Sequence, residues 1–138
     1  MRKRAQSGIT LIELMVVMVI IALFATVVGQ RLFRNVEKAN QFTAKQQIAE
    51  LEGLLDLFRL DVGRYPTTEE GLQALRVRPG TLEGWDGPYP KKDIPPDPWH
   101  HAYVYRCPGQ HGEFDLFSYG KDGQEGGDGD NADIVSWK

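Results

Sequence analysis

The sequence predicts an α+β fold: one long N-terminal helix followed by a small three-stranded antiparallel sheet. Three observations predict it. Between Ile9 and Gly29, 17 of 21 residues are Ile, Leu, Val, Met, Ala or Phe. From there to Val62, apolar residues recur at three- and four-residue steps with no proline between them, which is the pattern of an amphipathic helix. Beyond Trp99, short alternating runs separated by Pro and Gly take over, which is the pattern of hairpin strands. A length of 138 residues leaves room for one domain beside the apolar block. It excludes a multidomain enzyme and a polytopic membrane protein.

The first element opens on Arg2, Lys3 and Arg4, passes Gly8 and enters the apolar run. As a helix that run is about 32 Å long at ~1.5 Å per residue, enough to cross a bilayer and longer than the core of a secretory signal. The basic residues precede it, so the positive-inside rule leaves the N-terminus in the cytoplasm. Two details do not suit a plain anchor. Gly8 stands before the apolar run, not after it, and Glu13 stands inside it. A carboxylate there costs on the order of 3 kcal/mol by insertion scales, so it either snorkels from the helix end or has a partner.

Gly8, Ile9, Thr10, Leu11, Ile12 and Glu13 together resemble the class III leader of type IV pilins and pseudopilins. The resemblance implies cleavage after Gly8 by a prepilin peptidase and N-methylation of Ile9. The family has Phe at the position of Ile9, which asks mainly for a bulky apolar side chain. It also implies that Glu13 pairs with the N-terminal amine of a neighbouring subunit, so that the carboxylate sets the register of assembly. A partner's positive charge makes such a burial tolerable. The expected organisation is a cleaved leader at 1–8, a transmembrane and polymerisation helix at 9–30 and a periplasmic domain at 31–138.

Past the apolar block the stripe reads Leu32, Val36, Ala39 and Phe42, then Ile48, Leu51, Leu55, Phe58 and Val62. It predicts continuation of the same helix, with the second half packing its apolar face on a core. Gly63 and Tyr65-Pro66 end it. Thr67 and Glu70 form a capping-box pair that predicts a short helix to about Arg76. Five of the eight prolines then fall between Pro88 and Pro98, which forbids helix and central strand. Trp85, Tyr89 and Trp99 offer that loop aromatic anchors. Residues 101–107, 113–119 and 133–137 read as the three strands.

The segment 120–133 holds Asp122, Glu125, Asp128, Asp130, Asn131 and Asp133, with Lys121 its only cation. Oxygen ligands without His or Cys in a glycine-rich loop suit Ca²⁺, although a solvated acidic loop has the same composition. The spacing is not that of an EF-hand. This loop, its flanking strand, the GRYPTTEEGLQAL stretch and Asp97-Pro98-Trp99 resemble the major pseudopilin of type II secretion systems over essentially the whole chain. The resemblance implies one Ca²⁺ held by Asp122 and Asp133, with Asp130, Asn131 and the carbonyl of Phe117 completing the shell. His100 and His101 stand where that family usually has a glycine after the DPW motif, and are read as surface or packing residues.

Cys107 is the single cysteine, which excludes an internal disulfide and a multi-cysteine zinc site. Adhesive type IV pilins close their C-terminal region with a cysteine pair, so this chain fits a pseudopilin better. Sixteen basic against 19 acidic residues give −3, and loss of the first eight residues leaves 13 against 19, or −6. That balance argues against a nucleic-acid partner. No nucleophile triad, phosphate-binding loop or dinucleotide turn stands out, so no enzyme activity is expected. The resemblance implies a homopolymer in the inner membrane and periplasm. Its partners would be minor pseudopilins, the inner-membrane assembly platform and secreted exoproteins. The alternatives are another type IV filament subunit, or a membrane-anchored periplasmic hydrolase or binding domain.

Overall fold

The computed structural model describes residues 8–138. Arg2, Lys3 and Arg4, and with them most of the expected leader, lie outside the described residues. The main helix, α1, runs Leu11–Val62, 52 residues without a break. Its start is set by Thr10, whose Oγ1 accepts the Glu13 N–H at 3.2 Å while its carbonyl accepts the Leu14 N–H at 3.1 Å. Its end is set by Gly63, which takes the left-handed conformation (φ 86°) and donates its N–H to the Arg59 carbonyl at 2.7 Å.

Two compact units meet in sequence between Val36 and Glu37. In the first, every side chain from Leu11 to Val28 is exposed, Phe24 at 68% and Leu23 at 65% among them. This part of α1 is long and apolar enough to cross a membrane.

The second unit has a core. On α1 it buries Ala44, Ile48, Leu51, Leu55 and Phe58, at three- and four-residue steps. Against them lie Leu75, Tyr103, Tyr105, Leu116 and Ile134. Full burial of a side chain such as Leu55 or Phe58 is worth about 1.5–3 kcal/mol. The stripe differs from the expected one in its N-terminal part: Leu32, Val36 and Phe42 are exposed, and Glu37 is buried in their place. The core face runs 37, 41, 44, 48, 51, so it reaches two polar residues before it leaves the domain. A pattern search that follows only apolar residues switches faces at that point.

The sheet is antiparallel in the order β1 (Val104–Arg106), β2 (Asp115–Ser118), β3 (Ile134–Val135). Tyr105 pairs with Leu116, and Phe117 pairs with Val104 on one side and Val135 on the other. Each strand is shorter than its alternating run. All four residues of β2 are buried. Leu116 faces the helix, while Phe117 packs edge-on to Tyr119 and Trp137, at 5.3 and 5.7 Å between ring centroids.

Thr67 and Glu70 make the capping box in full: the Thr67 N–H donates to Glu70 Oε2 at 2.8 Å and the Glu70 N–H to Thr67 Oγ1 at 3.2 Å. The helix expected to follow is instead a turn and a four-residue 3₁₀ segment, Leu72–Leu75, because Gly71 sits at φ 57°. The proline-rich stretch is pinned as its aromatics allow. The Trp85 indole donates to the Ala74 carbonyl at 2.8 Å, the Tyr89 N–H to the Leu75 carbonyl at 2.9 Å, and Tyr89 rests on Phe58 with centroids 5.8 Å apart.

Candidate functional site

Two places carry the expected function. The first is the start of α1. Gly8 and Ile9 precede the helix, Glu13 lies in its first turn, and all three are exposed. Among the described residues no cation pairs with Glu13. Thr10 was missed as a cap; its signal was the Thr-x-x-Glu spacing to Glu13, hidden inside an otherwise apolar run.

The second is the acidic loop between β2 and β3. Phe117 lies on the central strand, Asp130 and Asn131 in the 3₁₀ turn Gly129–Asn131, and Asp133 directly before β3. Asp122 is exposed, and its Oδ1 accepts the Gln124 N–H at 3.1 Å. Asp133 is the inward member. Its Oδ2 accepts the Gly126 N–H at 2.8 Å, and its Oδ1 is buried without any hydrogen-bond partner. An orphaned buried carboxylate oxygen is costly unless something fills the gap. A hard cation fits that need, and the loop itself carries no His or Cys. Among the described residues, however, no three carboxylates, histidines or thiols are gathered as a ready-made metal cluster. The loop backbone folds tightly: a Cβ on Gly120 would stand 2.8 Å from the Ala132 carbonyl.

The DPW segment supports this loop. Asp97 is 2% exposed and accepts the N–H groups of Trp99 (3.0 Å) and His101 (2.8 Å) on one oxygen and the Ser118 hydroxyl on the other. Ser118 in turn accepts the Gly120 N–H at 2.9 Å, and His101 Nδ1 meets the Gly120 carbonyl at 3.0 Å. His101 is therefore a packing residue at the root of the loop. His100 holds φ 71°, the left-handed region, which explains why glycine suits that position.

On the opposite side of the sheet, Asp115 accepts the N–H groups of Gln110 and His111 and the His111 ring. Burial would raise its carboxyl, but these donors together hold it below the usual range. Cys107 is half-buried just past β1, its backbone bracketed by the Thr68 hydroxyl at 2.9 and 3.0 Å.

Comparison with known proteins matches residues 31–137 to the family model described as type II secretion system (T2SS), protein G. The chain belongs to that family. Residues 3–29 match the prokaryotic N-terminal methylation motif, the segment that holds Gly8, Ile9 and Glu13. Among relatives of the protein G family, the type II secretion system core protein G of Vibrio cholerae is 45% identical, over 99% of this chain and 94% of its own length. That of Aeromonas hydrophila is 47% identical, over 99% and 96%. The crystal structure of the major pseudopilin from the type 2 secretion system of enterohaemorrhagic Escherichia coli superposes with a TM-score of 0.63. It is 39% identical and covers 75% of this chain and 90% of that one. The protein G family thus accounts for both the long apolar helix and the three-stranded sheet.

Proposed function

We propose that this chain is the major structural subunit of a type II secretion pseudopilus, polymerising through α1 into a periplasmic filament that drives folded exoproteins through the outer membrane. The observation that carries the reading is the division of one helix into an entirely uncovered apolar part and a part packed on its own domain. Uncovered apolar surface of that extent needs lipid or other subunits. The subunit works by assembly and performs no catalysis of its own.

In this reading a prepilin peptidase cuts between Gly8 and Ile9 and methylates Ile9. The mature subunit waits in the inner membrane with its domain in the periplasm. There the assembly platform and minor pseudopilins receive it. Glu13 pairs with the N-terminal amine of a neighbouring copy, so the costly carboxylate is relieved only in the correct register. Intact-mass analysis of the membrane form tests the scheme. The expected mass starts at methylated Ile9; any other first residue sinks the filament reading and favours an anchored periplasmic domain.

A Ca²⁺ ion in the acidic loop is the second part of the proposal. Asp133 would hold it through its free Oδ1, with Asp122, Asp130, Asn131 and the Phe117 carbonyl as the remaining oxygens. The ion would supply positive charge to five carboxylates that otherwise repel one another. What supports it is the orphaned Asp133 oxygen and the absence of His and Cys from the loop. Chelation and Asp122→Ala are each expected to lower the melting temperature and block filament formation. Unchanged melting in excess chelator removes the ion from the account.

A further inference from the structure

Glu37 and Gln41 occupy the core-facing stripe of α1 one turn before its apolar part begins, positions where a helix packed only on a sheet would carry Leu or Ala. Glu37 is 6% exposed. Its Oε1 accepts the Trp99 indole N–H at 3.1 Å, and its Oε2 lies 3.8 Å from Lys121 Nζ. Gln41 Nε2 donates to the Gly129 carbonyl at 3.0 Å. Lys121 and Gly129 stand on opposite legs of the acidic loop, so both legs are tied to one helical turn. Trp99 belongs to the same segment as Asp97, which holds the loop's root through Ser118. A carboxylate that merely satisfied a buried indole would explain the Trp99 contact. It would explain neither the lysine from the loop nor the amide one turn on.

We propose that Glu37 and Gln41 are positioning residues that strap both legs of the 120–133 loop to α1, so that ordering of the loop by a divalent cation also orders the helical turn 37–44. The strap stands on the contacts above; the cation dependence rests on the Ca²⁺ reading. Such coupling is reciprocal: a helix held in place by its surroundings raises the loop's affinity for the ion by the same factor.

Amide hydrogen exchange on the full chain in detergent micelles tests both parts. In chelator, Gln41→Ala and Glu37→Gln are expected to speed exchange of the loop amides, Gly126 among them, by at least about fivefold, with β1 and β2 unchanged. Glu37→Gln keeps an acceptor for Trp99 and removes only the charge facing Lys121. Unchanged loop rates in both variants overturn the strap. So does an equal rise throughout β1 and β2, which marks general loosening. Added Ca²⁺ is then expected to slow exchange in the loop and at 37–44 of the unaltered chain, and in the loop alone in the variants. Slowing at 37–44 that survives both substitutions overturns the coupling. If Ca²⁺ leaves the unaltered loop unchanged, the cation part is overturned, and the chelator arm by itself decides the strap.

Discussion

From Leu11 to Val28 no side chain of α1 is covered, whereas from Ala44 to Phe58 the same helix holds five residues at 5% exposure or less. Both stretches are helical, and both carry many apolar residues. They differ in how the apolar residues are distributed around the axis. In the second stretch the buried ones form one stripe with Lys, Gln, Glu and Asp between, so one face has a core and the other has water. In the first they surround the helix, and no single domain face could satisfy them. The lesson is that hydrophobicity alone does not say whether a segment stabilises its own fold or an assembly; the angular spread does.

Substitutions in the two stretches should therefore have separable effects. The largest is expected at Glu13: Glu13→Leu should abolish filament formation, seen by electron microscopy of filament preparations from lysed cells, while the melting of the 37–138 unit stays unchanged. A filament at normal yield would break the comparison from the assembly side. Leu55→Ala should do the reverse and lower stability by about 2–5 kcal/mol in denaturant titration, because Leu55 is fully buried on the core stripe. Chelation is expected to cost about 2.7 kcal/mol against a sample at a hundred times the ion's dissociation constant, read as a fall in melting temperature.

Two smaller effects sharpen the picture inside the second unit. His100→Gly should stabilise it by about 1 kcal/mol, since His100 carries a backbone conformation that glycine adopts without strain. Glu70 concerns pH. Its carboxyl is held below the ordinary 4.5 chiefly by the hydrogen bonds from Arg64, against a smaller opposing effect of burial, with the Thr67 N–H adding to it. A depressed carboxyl contributes stability that is present above its unfolded value and lost as the pH falls through the folded one. Glu70→Gln should therefore cost about 0.5–1 kcal/mol at neutral pH and flatten the acid limb of the stability profile, measured by urea titration from pH 6 downward. An unchanged acid limb would remove Glu70 as its source.

The C-terminal end of α1, the capping box and the presence of three strands follow from local chemistry, which is why the sequence alone reaches them. Gly63 and Pro66 punctuate the helix, and Pro108, Gly109 and Gly112 punctuate the hairpin. What local chemistry does not reveal is long-range. Nothing around Glu37 marks it as buried, because its partners Trp99 and Lys121 are more than 60 residues away. Asp97 reads as part of a proline-rich loop, yet its burial depends on Ser118 in β2. Gly71 illustrates the opposite failure: the box at Thr67 forms as expected, and one glycine then diverts the helix it should open. Within the acidic loop, composition predicts the donor type, but only the fold separates Asp133, with its buried free oxygen, from Asp122 at the surface.

The uncovered apolar stretch has a thermodynamic consequence for how such a subunit polymerises. Lipid tails are as apolar as the side chains of a neighbouring helix, so moving the stretch from bilayer to filament yields almost no hydrophobic free energy. The hydrophobic ledger of the transfer is close to neutral, which makes it reversible in principle and cheap to drive. Direction has to come from what lipid cannot offer: close helix-to-helix packing and, on the pairing proposed above, a cation for the carboxylate of Glu13. A membrane filled with such subunits is then a reservoir held near equilibrium with the polymer, and small changes in packing decide whether it empties or refills.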